Sequence, residues 1–169
     1  MRIRPFRPED APEVHDVLRQ AFDGRLDEPR IAARLHAAGR DLVSLVAVVD
    51  DAVVAHLVFS PVTLDAAASD ATLVGLGPVG VLPKHQGRGI GDRLIREGLE
   101  ICRSVGYDGV VVLGDPRYYH RFGFEPARDH GVGNEYGADE EFQVLALNGP
   151  LPAVHATVRY GPEFAGTDG

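Results

Sequence analysis

The amino-acid sequence predicts an α/β (α+β) fold, in which a mixed, mainly antiparallel central sheet of about six to seven strands is flanked by helices. Short runs rich in β-branched residues alternate along the chain with stretches whose apolar residues recur every three or four positions. Two of these runs are separated by little more than Asp50-Asp51, a turn-forming pair that indicates an antiparallel hairpin. Helices and strands are therefore expected to form layers around one core.

The N-terminal third of the chain is expected to supply the hairpin and the first two helices. Pro8 suits the first turn of a helix that begins with Glu9 and Asp10, because proline is preformed for that position and acidic groups favour it. The predicted elements here are a strand over residues 3–6, helices over 8–22 and 29–39, and strands over 42–49 and 53–59.

The next strand and helix are expected to differ in regularity. Residues 73–81 read as a strand, but proline cannot donate to a ladder, so the strand should be irregular or unpaired on one side near Pro78. The clearest helix follows, with its apolar positions on one face and Gly106 at its end. The remaining predictions are loops over 66–70 and 129–141, a short helix over 116–122, and strands over 110–113, 142–147 and 154–160.

Length and composition indicate one domain over residues 1–169. The chain is 44% hydrophobic and 25% charged, which is typical of a globular protein. The single cysteine, the N-terminus without an apolar run and the lack of a ~20-residue apolar stretch predict a cytoplasmic protein that does not act at a membrane. The net charge of -8, with scattered basic residues, argues against nucleic acid as a partner.

The most informative segment runs from Val79 to Gly91, between the irregular strand and the clearest helix. Glycines allow an anion to approach the free N–H groups of a helix N-terminus, and Arg88 adds a positive charge. The segment therefore predicts a diphosphate site, although a glycine-rich turn can also serve packing alone. The predicted binding residues are Val79, Gly80, Val81, Gln86, Gly87, Arg88, Gly89, Ile90 and Gly91.

The spacing of the glycines excludes two common nucleotide loops. Asp92 follows Gly91 where a P-loop needs Lys-Ser/Thr, and Gly87-x-Gly89-x-Gly91 is not the dinucleotide fingerprint. The pattern Gln86-x-x-Gly89-x-Gly91, after Val-x-Val-x-Pro, instead resembles the coenzyme A loop of the GNAT acetyltransferase superfamily, and in particular an uncharacterised bacterial branch of predicted N-acetyltransferases. The resemblance implies that residues 79–81 pair with the pantetheine arm and that the amides of residues 87–91 hold the pyrophosphate of acetyl-CoA.

A second segment, residues 115–124, supports this resemblance. It is similar to the Phe-Tyr-x-x-x-Gly-Phe segment of GNAT enzymes, which places Tyr119 at the coenzyme sulfur as general acid to the departing thiolate. A phenol of pKa ~10 can serve a thiolate of pKa ~8.5, and a backbone N–H near Val81 would hold the oxyanion. Packing against Phe122 and Phe124 is the alternative role of the tyrosine.

The sequence does not identify the residue that acts as general base. Several GNAT enzymes carry a glutamate on the fourth strand, whereas residues 75–78 offer no carboxylate. A water-relayed base, no dedicated base, or His56 are the alternatives, and His56 fits a core position better. Asp115 is expected to cap the helix that begins at Pro116.

Other chemistries are disfavoured. The histidines and the one cysteine show no zinc-ligand spacing, so no metal is expected, and Cys102 lies on the buried face of a helix.

The resemblance covers residues 1–126, which would bind the coenzyme, while residues 127–169 would supply a loop and C-terminal strands. It implies transfer of an acetyl group from acetyl-CoA to a small-molecule or peptide amine, and it is compatible with a homodimer. The alternatives are a non-catalytic acyl-CoA-sensing or interaction module, a longer acyl group, and a hydroxyl acceptor.

Overall fold

The computed structural model describes residues 1–65, 70–151 and 155–166. The chain divides into two compact units, Met1–Ser60 with Gly77–Ile101 and Pro61–Leu76 with Cys102–Gly169. The strands are β1 Arg2–Pro5, β2 Val43–Val49, β3 Ala52–Asp65, β4 Leu73–Val81, β5 Gly109–Leu113, β6 Glu125–Pro126, β7 Val132–Asn134, β8 Phe142–Ala146 and β9 Ala156–Tyr160. The α-helices are α1 Ala11–Ala21, α2 Asp27–Ala38, α3 Ile90–Val105 and α4 Pro116–Tyr119.

The predicted fold class is confirmed. Antiparallel pairs predominate, β4 with β5 and β7 with β9 are parallel, and the described residues form nine strands where about six to seven were expected. The two additional strands, β6 and β7, have two and three residues and are too short to show a period in the sequence.

The predicted hairpin forms in the first unit. Strand β2 pairs antiparallel with β3 around Asp50 and Asp51, whose φ angles of 50° and 63° belong to the left-handed region used by tight hairpin turns. Strand β1 pairs antiparallel with β2. The buried residues of α1 and α2 pack with those of β2 and β3 in one apolar cluster: Val14, Val17, Leu18, Ala32, Val46, Val48 and Val53.

The start of α1 is held by a buried ion pair. Residues Pro8–Asp10 form a 3-10 turn, so the α-helix begins at Ala11, three residues later than expected. Both carboxylate oxygens of Asp10 accept from the guanidinium of Arg4, at 2.7 and 2.8 Å, and Asp10 Oδ2 also accepts from the N–H of Arg7 at 2.8 Å. The hydrogen bonds from Arg4 hold the pKa of Asp10 below its usual value, so the pair stays ionised.

Helix α3 follows the predicted apolar pattern, with Leu94, Ile95, Leu99 and Cys102 buried. A Cβ on Gly98 would lie 2.5 Å from Phe59 Cε2, so the glycine allows α3 to approach β3 within the first unit.

In the second unit, β5 pairs antiparallel with β8, β8 pairs with β6, and β9 pairs with β3 and β7. The pairing of β4 with β5 covers Leu73–Leu76 and stops before the Gly77-Pro78 bond, which is cis, so the predicted irregularity is confirmed. The expected loop over residues 129–141 is wrong in part, because it contains β7. That strand includes Gly133 and has one buried residue, so it carries no strand pattern of its own.

Two predictions reach outside the described residues: the strand expected over 154–160 is seen from Ala156, and most of the loop expected over 66–70 is not described. None of the helices in the described ranges is long and apolar enough to cross a bilayer.

Candidate active site

The end of β4 leads into α3 through an exposed loop. The Leu82 N–H donates to the Val54 carbonyl at 2.8 Å, which anchors the strand end before a single 3-10 turn. Residues 86–89 are exposed, and Gly87 and Gly89 have φ angles of +76° and +78°. No heavy atom lies within 4 Å of a Cβ built on either glycine. The loop therefore presents bare backbone to solvent in a conformation that other residues rarely adopt.

Arg88 lies just before the first turn of α3. The Arg93 N–H donates to the Gly89 carbonyl at 3.1 Å, and the N–H groups of the preceding helical residues have no intrahelical acceptor, as at every helix start. Such a terminus carries roughly half a positive charge, and the exposed Arg88 beside it adds a full one. These groups fit a diphosphate.

Two of the predicted binding residues, Gln86 and Gly80, also make contacts that stabilise the fold. The Gln86 side-chain amide donates to the Val81 carbonyl at 3.0 Å, which ties the loop to the end of β4. A Cβ on Gly80 would lie 2.9 Å from Leu18 and 3.0 Å from Ala21, so this glycine lets α1 pack against the strand. Of the others, Val79 and Gly91 are half-buried and the side chain of Ile90 is buried.

Tyr119 ends the short helix α4 in the second unit. Asp115 caps this helix as predicted, with its carboxylate accepting from the Arg117 N–H at 2.9 Å. The Tyr119 ring packs edge-on to Phe124 at 5.7 Å and covers Gly114, where a Cβ would overlap the ring. Burial raises the pKa of Tyr119 to about 12. The structure thus shows the alternative packing role of this side chain, and its role as the acid stays a prediction.

A second tyrosine cluster was missed by the sequence analysis. The Tyr160 ring of β9 lies against Gly75 of β4, where a Cβ would be 2.9 Å from Cε1. Its ring centroid is 5.8 Å from that of Tyr136 and 5.0 Å from that of Phe164. The carboxylate of Glu135 accepts from the Tyr160 N–H at 2.9 Å. An isolated glycine in a strand pattern indicates a close approach, but it does not identify the partner.

His56, the alternative base, and the one cysteine, Cys102, are both buried. His56 is 0% exposed, and its Nδ1–H donates to the Leu45 carbonyl at 2.9 Å. Burial lowers the pKa of His56 to about 3, so the ring is neutral and out of reach of an external amine. Burial also raises the pKa of the Cys102 thiol to about 12, which leaves it unreactive. The described residues contain no cluster of three or more potential metal ligands.

Comparison with known proteins shows the family. Residues 2–127 match the family model of an acetyltransferase (GNAT) domain. The chain is 36% identical over 167 residues to YhbS of Escherichia coli strain K12, an uncharacterized N-acetyltransferase, covering 97% of this chain and 98% of that protein. It is 34% identical over 151 residues to the uncharacterized N-acetyltransferase YjhQ of the same strain, covering 88% and 83%.

Solved structures agree with these sequence relationships. A GNAT family acetyltransferase from Brucella melitensis in complex with acetyl-CoA is similar with a TM-score of 0.80 and 40% identity, over 96% of this chain and 97% of that chain. Escherichia coli YhbS in complex with CoA is similar with a TM-score of 0.89 and 36% identity, over 96% and 91%. The chain therefore belongs to the GNAT family of acyl-CoA-dependent acetyltransferases.

Proposed function

We propose that this protein transfers an acetyl group from acetyl-CoA directly to the amine of a small molecule or peptide, with Tyr119 as general acid. The observation that carries the proposal is the β4–loop–α3 segment, whose exposed glycines and helix N-terminus fit the coenzyme pyrophosphate. The relatives described with acetyl-CoA and with CoA add support.

In this proposal, the first unit holds the coenzyme. The backbone N–H groups of residues 87–91 and the guanidinium of Arg88 bind the pyrophosphate, while the backbone of residues 79–81 pairs with the pantetheine arm. A backbone N–H near Val81 stabilises the oxyanion. The side chain of Gln86 contributes by holding the loop against the Val81 carbonyl.

The raised pKa of Tyr119 refines its role. Complete proton transfer from a phenol of pKa about 12 to a thiolate of pKa ~8.5 would be unfavourable by about 5 kcal/mol. We therefore propose that Tyr119 donates its proton to the sulfur as the C–S bond breaks and regains one from the newly acylated nitrogen. The new C–N bond replaces the C–S bond, the products are an amide and a thiol, and no free tyrosinate accumulates.

Residues 1–169 are proposed to act as one domain, and the reaction is placed in the cytoplasm, where the one thiol, Cys102, would stay reduced.

Release of free thiol from acetyl-CoA tests the proposal. A panel of amino acids, peptide N-termini, polyamines and arylamines is incubated with enzyme and acetyl-CoA, and at least one amine should give release well above the rate without enzyme. Coenzyme binding by calorimetry with no release from any amine would instead favour a sensing module. A matched series of longer acyl-CoAs reports the preferred acyl chain.

A further inference from the structure

A buried glutamine lies among apolar residues where β8 begins beside the end of β5. Gln143 is 2% exposed and lies opposite Val112 of β5. Its neighbours in β8, Phe142 and Val144, are buried and apolar. Burying an amide costs free energy unless its polar atoms are hydrogen-bonded, and an apolar side chain of similar volume would avoid this cost. Packing of the core alone therefore does not account for a glutamine at this position.

The Gln143 side chain holds the first residue after β5. Its Nε2 donates to the Gly114 carbonyl at 3.2 Å and, more weakly, to the Glu141 carbonyl at 3.4 Å. The Gly114 N–H donates to the same Glu141 carbonyl at 2.9 Å. Gly114 is thus fixed through both its carbonyl and its N–H at the point where the chain leaves the sheet.

Gly114 in turn sets the position of the Tyr119 ring. A Cβ on Gly114 would overlap Tyr119 Cε2 and lie 3.0 Å from Cδ2, so the ring rests directly on this backbone. The turn between the two residues is short and hydrogen-bonded, because the Tyr119 N–H donates to the Asp115 carbonyl at 3.1 Å and the Asp115 carboxylate caps α4. A shift of the Gly114 peptide would therefore move the phenol of Tyr119.

We propose that Gln143 is a positioning residue, which keeps the Tyr119 phenol at the coenzyme sulfur by fixing the Gly114 peptide. This inference rests on the proposed function, in which Tyr119 donates its proton as the C–S bond breaks. A misplacement of about 1 Å at a reacting group can cost 10²-fold in rate. Loss of the hydrogen bond to Gly114 should therefore lower turnover. Coenzyme binding should be kept, because its proposed loop, residues 79–91, belongs to the other unit.

The first test removes the N–H donors and keeps the length of the side chain. With the panel amine that gives the fastest wild-type release, Gln143→Met should lower kcat about tenfold and leave the KM for acetyl-CoA within about twofold. Asn148→Leu is the control, because Asn148 is an amide of the same unit that donates to the Arg103 and Tyr107 carbonyls at 3.1 and 2.8 Å. It should keep the wild-type kcat. A wild-type kcat in Gln143→Met would overturn the inference.

A double-mutant cycle distinguishes positioning of Tyr119 from a general structural role. Tyr119→Phe keeps the ring and removes the hydroxyl, so a residue that acts through this hydroxyl has nothing left to position. Gln143→Met should lower kcat about tenfold in the wild-type background and less than about twofold in the Tyr119→Phe background. An equal fall in both backgrounds would overturn the inference, because independent effects add in free energy. A wild-type kcat in Tyr119→Phe alone would overturn the proposed function, and the inference with it.

A second substitution displaces the ring from the side of the backbone. Gly114→Ala should push the Tyr119 ring away and lower kcat by about tenfold or more, again only where the hydroxyl is present. Gly133→Ala is its control, because the nearest atom to a Cβ there is the Ala156 carbonyl oxygen at 3.9 Å. Calorimetric titration with CoA gives the concentration of folded protein to which each kcat is referred. Equal kcat values in these two glycine variants would overturn the inference.

Discussion

Replacing Gly89 with alanine separates two reasons for a glycine in the loop before α3, namely the left-handed backbone conformation and the close approach of an anion. Gly89 has a φ of +78° and no heavy atom within 4 Å of a Cβ, so an added methyl meets no protein atom. Gly39, which ends α2, has a φ of +66° and is equally open. Gly39→Ala is therefore a matched control for backbone strain.

The cost in stability should be the same for both variants. An L-residue in the left-handed region costs roughly 1–2 kcal/mol, and the lower entropy of the unfolded chain with alanine offsets part of it. We expect each variant to lose about 1 kcal/mol of unfolding free energy, which leaves a protein of ordinary stability folded. Coenzyme affinity should differ, because only the methyl of Gly89→Ala lies where an anion would approach the helix N–H groups.

Urea unfolding and calorimetric titration with CoA measure the two effects. Gly89→Ala should raise the Kd for CoA by tenfold or more, and Gly39→Ala should leave it unchanged. Equal Kd values for the two variants would refute the assignment of this loop to the pyrophosphate.

Three further predictions concern stability. Asp10→Ala should cost about 3 kcal/mol in urea unfolding, because it leaves the Arg4 guanidinium without its carboxylate, whereas Asp16→Ala removes an exposed ion pair and should cost under ~1 kcal/mol; similar losses would contradict the difference in burial. The folded-state pKa of His56, about 3, lies below the ~6.5 of an unfolded histidine, so its contribution is complete above that value and is lost as the pH falls towards 3. Urea unfolding should show that the free energy of unfolding falls by about 2 kcal/mol between pH 7 and pH 5, and this fall should be smaller in His56→Gln. An equal fall in the wild type and the variant would mean that the pH dependence comes from other groups. Strands β3 and β4 each begin in one unit and end in the other, so circular dichroism and tyrosine fluorescence should report one unfolding transition, and two separated midpoints would argue against a single domain.

The features that the sequence predicted well are those encoded locally. The Asp50-Asp51 hairpin depends on two turn residues, and α3 depends on apolar residues repeating on one face. The cap at Asp115 was predictable because this aspartate directly precedes Pro116, the first residue of the helix. Local chemistry was sufficient in each case because the interacting residues are close in the chain.

The contacts that escaped prediction join distant parts of the chain. The Tyr160 ring against Gly75, and Gly80 against Leu18 and Ala21, depend on which elements the fold places together. A glycine in a strand indicates that something approaches, but its partner is set by tertiary packing.

The chemistry of Tyr119 was also only partly readable. Its place in a short helix was predicted, but the rise of its pKa to about 12 comes from burial, which depends on the packing of Phe124 and Gly114 around the ring. That shift changes the expected role from a well-matched acid to a proton donor that must recover its proton within the same step.

The turnover of Tyr119→Phe at saturating acetyl-CoA and acceptor is the sharpest test of the proposed mechanism, in which the acetyl group passes directly to the amine and Tyr119 donates the proton. The phenylalanine keeps the ring contacts and removes the hydroxyl, so kcat should fall by 10² or more while the Kd for CoA stays within about twofold. A variant with wild-type kcat would contradict the account and remove Tyr119 from the mechanism.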